Sequence, residues 1–176
     1  MEFLDIFTSL ILEKRVYCNH PLTTPLNANV GWKVGDRMGM ILETCAEPGF
    51  LHVDATGKFS LKEAKRTFLE MLEAVARHGV KKVLFDGRKL IGEPMTIERF
   101  YYGEFAANAV MSFADRGVSP VTQFAYILEE PILDPRRFGE SVAVNRGMFV
   151  KAFDNVEDAV GWLQITPAHK PGAGGS

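Results

Sequence analysis

The spacing of apolar and polar positions changes along the chain, and each change marks an element. Leu61, Ala64, Phe68, Met71 or Leu72, and Val75 recur every three to four residues, while Lys62, Lys65, Arg66, Glu70 and Glu73 fill the opposite side. That is the stripe of an amphipathic helix. Ser60 and Glu63 occupy the two positions of a capping box at its start, and Gly79 stands where a left-handed C-cap belongs. Val80 to Phe85 follows as a strand whose centre, Val83-Leu84-Phe85, is uniformly apolar, as expected for a sheet covered on its faces. The helix and the strand it feeds share a core in a right-handed crossover, which predicts Phe68 and Leu84 buried against one another's elements. Upstream, Leu51, Val53 and Ala55 alternate with His52 and Asp54, a half-buried strand. Glu47-Pro48-Gly49 is a turn that joins Met38–Thr44 to Phe50–Ala55 as a hairpin.

Downstream the cadence repeats. Thr96 is a suitable N-cap preceded by Pro94, with Glu98 in the first turn, and Ile97, Tyr101, Phe105 or Glu104, Asn108 and Met111 follow at helical spacing until Gly117. Gln123–Leu128 reads as the next strand. Asp134-Pro135 is an N-cap followed by proline at the first helical position, and Gly147 closes that third helix. Met148–Phe153 is a last strand, and Asp154 with Glu157 caps a short helix bearing Val156, Ala159, Val160 and Leu163. The order ββ-α-β-α-β-α-β-α implies parallel strands joined by crossover helices, with the leading hairpin making the sheet mixed.

Before this domain, residues 1–15 read as an amphipathic helix with Phe3, Phe7, Leu10 and Lys14 on one face, and residues 16–31 as a loop rich in proline and asparagine. The helix is too short to span a bilayer and lacks the Lys- and Arg-lined polar face of a membrane-surface helix. Its apolar side chains are expected to pack on the domain or on a second subunit, which predicts a homodimer. The expected organisation is an extension over 1–37, a domain over 38–165 and a flexible tail over 166–176.

Composition narrows the function classes. The chain of 176 residues carries 20 Lys and Arg against 22 Asp and Glu, which gives no basic footprint for nucleic acid. Two cysteines, Cys18 and Cys45, in a chain long enough to bury its own core point to reduced thiols and a cytoplasmic setting. Cys18 and His20 are the only close pair of metal-ligating type, short of the four ligands of a structural zinc site. No Gly-rich phosphate loop and no nucleophile elbow occurs. Neither a cofactor, a metal nor a catalytic residue is expected.

Ligand sites in parallel α/β sheets gather at the carboxyl ends of the strands. That edge holds Asp86-Gly87-Arg88-Lys89, Glu93 and Thr96. Asp86 and Glu93 as an acid–base pair is disfavoured against capping and ion pairing with Arg88. Arg88, Lys89 and the helix start at Thr96 offer a weak cradle for an anion. Phe100, Tyr101, Tyr102 and Phe105 cover more of one helix than a single buried stripe uses. Either the helix is covered on two sides, the reading core packing favours, or its outer face meets a partner or an apolar ligand.

The segments VLFDGRKLIGEPMTIERFYYGEFA, FAYILEEPILDPRRFGESVAVNRG and MFVKAFDNVEDAVGWL together resemble the STAS/SpoIIAA-like proteins, over about Met38 to Leu163. The resemblance implies the fold of the anti-sigma-factor antagonists, an α/β sandwich with a mixed, mainly parallel sheet. In switched members a serine before the second helix is phosphorylated. Here Glu93 stands near that place and Thr96 is offset toward the helix, so the switch does not carry over. The expected function is a non-enzymatic regulatory or protein-interaction module. Its surface would be the loop Asp86–Glu93 with the start of the next helix, Thr96–Arg99, and Asp86, Arg88, Glu93, Thr96, Arg99 and Tyr101 as binding residues. The STAS/SEC14-like naming of some members implies the alternative, a carrier or sensor of a small apolar or lipid-like ligand. A cavity lined by Phe100, Phe105 and Met111 would favour it.

Overall fold

In the computed structural model of the protein, residues 39–166 are described. The expected N-terminal helix and loop lie outside them, as does the tail from 167 onward. The described chain runs β1 (Ile41–Glu47), β2 (Phe50–Lys58), α1 (Leu61–His78), β3 (Lys82–Ile91), α2 (Thr96–Ser112), β4 (Gln123–Ile127), α3 (Phe138–Val144), β5 (Phe149–Phe153) and α4 (Val156–Leu163). The five strands lie in sequence order, β1-β2-β3-β4-β5. Only β1 and β2 pair antiparallel; every later pair is parallel. This is the mixed, mainly parallel sandwich expected from the sequence.

Neighbouring parallel strands connected by crossovers of one hand place their helices on one side of the sheet. Accordingly α1, α2 and α3 share a core with Leu51, Val53, Ala55, Val83, Phe85, Phe124 and Tyr126. The last helix, α4, lies on the other side, where Ala159 and Leu163 bury Phe50, Leu84, Ala125, Ile127 and Phe153. Side chains alternate along a strand, so Leu84 faces α4 while its neighbours Val83 and Phe85 face α1. Phe68 and Leu84 are both buried, but in different cores, which corrects the expectation that they meet.

Several local expectations change with the structure. Ser60 does accept the Glu63 amide, at 3.3 Å, but the Glu63 carboxylate turns to Arg66, at 2.9 Å. Gly79 ends α1 in the left-handed region, at φ 62°. The strand expected to stop at Phe85 continues to Ile91, past an irregularity in its pairing with β2 between Asp54 and Thr56. The supposed loop from Asp86 is therefore strand, because Thr56, Gly57 and Lys58 remain beside Lys89, Leu90 and Ile91 as hydrogen-bonded partners. Met95 is the N-cap of α2 and Thr96 its first residue; the Glu98 carboxylate accepts the Met95 amide at 2.9 Å. Asp134 does not open α3. Its carboxylate accepts the Arg136 and Phe138 amides at 3.0 and 3.1 Å and shapes the turn ahead of the helix. Asn155 rather than Asp154 caps α4, accepting the Asp158 amide at 2.8 Å. Cys45 is disulfide-bonded, contrary to the reduced thiol expected there.

Candidate ligand cavity

A cavity of about 130 Å³ lies between the sheet and the α1–α3 layer. Its floor is Phe85 and Leu90 of β3 with Tyr126 of β4 and Leu128 just beyond it; Tyr102, Gly103 and Ala106 of α2 face them. The position follows from the topology. Phe85 and Tyr126 are register partners on adjacent strands, and their rings sit 4.6 Å apart. The space extends from them to Leu90 and Leu128 at the carboxyl ends of β3 and β4, where open α/β sheets leave room between strand ends and crossover helices. The small residues of α2 take up little of that space.

Two phenols meet at this cavity. The Tyr102 and Tyr126 hydroxyls are 3.3 Å apart and hydrogen-bonded. Burial pushes the Tyr102 phenol up to about 12, its bond to Tyr126 only partly opposing this. Burial likewise pushes Tyr126 well above the ordinary phenol value. Both are neutral hydroxyls at physiological pH.

Charged residues complete the lining, and their tips are engaged. Arg99 donates to the carbonyls of Ile132 and Pro131, both at 2.6 Å, and so ties α2 to the segment that brings Ile132 and Leu133 over the cavity. Arg137 donates to the Ala152 carbonyl, and Glu140 accepts the Ala152 amide at 2.8 Å.

The six residues expected to form one binding surface do not come together. Asp86 shares the sheet side of Leu84, away from the cavity, where Arg88 donates to its carboxylate through Nε at 3.0 Å. Burial acts to raise the Asp86 carboxyl, and the hydrogen bonds and charge of Arg88 outweigh it, holding the group below the usual carboxylate range. Arg88 is thus engaged with Asp86, which weakens the anion cradle expected there. Glu93 and Thr96 are exposed beside the start of α2. Tyr101 lies on the outside of that helix, 46% exposed, with its ring edge against Phe100 at 5.6 Å. Of the six, only Arg99 reaches the cavity.

Phe100, Phe105 and Met111, whose lining of a cavity would have favoured the carrier reading, do not line this one. Tyr102, Tyr126, Phe85 and Leu128 do. The available signal was the tyrosine in the strand FAYI, a polar handle at a position whose neighbours are apolar. Among the described residues there is no group of three or more His, Cys, Asp or Glu side chains placed to hold a metal ion, and no helix long and apolar enough to cross a membrane.

No family model matches the chain, and no curated protein matches it. Two solved structures are similar in chain path. One is an anti-sigma factor antagonist from Mycobacterium paratuberculosis, 10% identical, with 73% of this chain and 97% of that one covered and a TM-score of 0.47. The other is an uncharacterised protein of the DUF3478 family with a SpoIIAA-like fold from Shewanella loihica PV-4. It is 19% identical, with 71% and 93% covered and a TM-score of 0.41.

Proposed function

We propose that the domain is a non-enzymatic sensor or carrier module that holds a small, largely apolar ligand between the sheet and α2. The observation that carries this reading is the cavity of about 130 Å³. The cavity is partly open to solvent and its lining is mostly apolar, and apolar spaces of about this size take up benzene-sized molecules. The reading favours the ligand over a purely flat interaction surface.

A regulatory role for the module is supported by the other side of the same helix. Met95, Ile97 and Tyr101 are 62%, 51% and 46% exposed, an apolar run at the start of α2 suited to a protein partner. Because Arg99, Tyr102, Gly103 and Ala106 of α2 line the cavity, one helix joins ligand and partner in this proposal. The extension over 1–37 and its pairing of two subunits belong to the proposal on sequence grounds. Light scattering of the full chain and of a chain lacking residues 1–37 tests the pairing.

Thermal unfolding across a benzene concentration series tests the ligand site. A ligand bound only by the folded state raises stability as its concentration exceeds Kd, by about 2.7 kcal/mol at a hundredfold excess. The expected result is a saturable rise in Tm that disappears in Ala106→Leu, which fills the cavity. A wild-type protein indifferent to benzene, or an equal rise in the filled variant, contradicts the proposal.

A further inference from the structure

We propose that the cavity selects a small molecule carrying one acceptor oxygen, a carbonyl or an ether, and that the Tyr102–Tyr126 pair donates the hydrogen bond that recognises it. The inference rests on the cavity reading above and names the class of ligand.

It follows from counting donors. Two phenol hydroxyls carry two protons. Their mutual bond, at 3.3 Å, uses one of them, and either oxygen can be the donor. Among the described residues no other group accepts from Tyr102 or Tyr126. A buried hydroxyl proton without an acceptor is destabilising, and only phenylalanine at both positions would avoid it. The other polar lining groups are engaged elsewhere: Arg99 with Pro131 and Ile132, Arg137 and Glu140 with Ala152, Asp134 with the Arg136 and Phe138 amides. The second phenol proton is left to meet whatever occupies the cavity. Around it stand Phe85, Leu90, Ala106 and Leu128, so the remainder of the ligand is hydrocarbon. The volume suits roughly one ring.

The test compares two probes of nearly the same shape, cyclohexanone and methylenecyclohexane, which differ in having an oxygen or a methylene on the ring. Kd values are measured by NMR titration for the wild-type protein and for Y102F/Y126F. That double variant removes both hydroxyls together and leaves no orphaned partner, so it is expected to fold. In the variant, cyclohexanone binding should weaken about fivefold or more, the worth of one net hydrogen bond, while methylenecyclohexane binding holds or tightens. If both probes change by the same factor, or neither changes, the second proton is not available to a ligand and the assignment is wrong, although the cavity reading stands. If neither probe binds the wild-type protein, the cavity reading itself fails and the assignment falls with it.

Discussion

A Cβ built on Gly103 would lie 2.5 Å from the backbone carbonyl oxygen of Gly139. The close crossing of α2 and α3 is therefore possible only because Gly103 carries no side chain. The same position lines the cavity, so the helix spacing that leaves the space open is set within one turn of Tyr102. Gly103→Ala would ordinarily stabilise a helix by about 1 kcal/mol. Here the contact is with backbone and cannot rotate away, and overpacking of this kind costs about 1–3 kcal/mol. Chemical denaturation should show a net loss of stability; a gain would mean that α2 and α3 are farther apart than described.

The two sides of the sheet make separate cores, and this is measurable. Leu84→Ala and Phe68→Ala should each cost about 2–5 kcal/mol. Since Phe68 faces the α1–α3 layer and Leu84 faces α4, the double variant should be close to additive. Leu84→Ala combined with Leu163→Ala removes two members of one cluster and should show a coupling of at least about 0.5 kcal/mol. Coupling in the first pair and additivity in the second would reverse the assignment of sides.

The phenol pair predicts an alkaline limb in stability. Both folded-state phenols titrate above the ordinary value, Tyr102 at about 12. The folded state thus holds protons that the unfolded chain releases from about pH 10 upward. Stability is unaffected below that pH and falls as pH rises from about 10 toward 12. In Y102F/Y126F the fall over this window should be shallower than in the wild-type protein, in denaturation midpoints measured at each pH. Identical slopes would show that the hydroxyls are not buried.

Local signals made most of the fold legible. Ser60 and Gly79 bracket α1, and the alternation through Leu51, Val53 and Ala55 gives β2 its buried side. The far half of β3 escaped because Asp86-Gly87-Arg88-Lys89 has no apolar alternation; its pairing with β2 after an irregularity keeps it extended. Asp134 looked like a helix cap because its carboxylate does cap amides, those of Arg136 in the turn and of Phe138 at the first position of α3. It does so from four residues ahead of Phe138 rather than from the N-cap position. The cavity was not legible at all. It depends on Tyr102 and Tyr126 being brought together across a crossover, and no periodicity within either segment records that meeting. Arg99 was singled out with its neighbours Thr96 and Tyr101, yet one helical turn separates a cavity-lining side chain from two that face outward.

The central claim, that a small apolar molecule occupies the space between the sheet and α2, is tested most directly by an amide-resolved NMR titration of the wild-type protein with benzene. Saturable shifts should concentrate at Phe85, Leu90, Tyr102, Ala106, Tyr126 and Leu128, the residues around the cavity, and should be absent from Asp86 and Arg88 side-chain signals on the other side of the sheet. Shifts that do not saturate, or that gather at the exposed Met95, Ile97 and Tyr101 and leave the cavity residues unmoved, would contradict it.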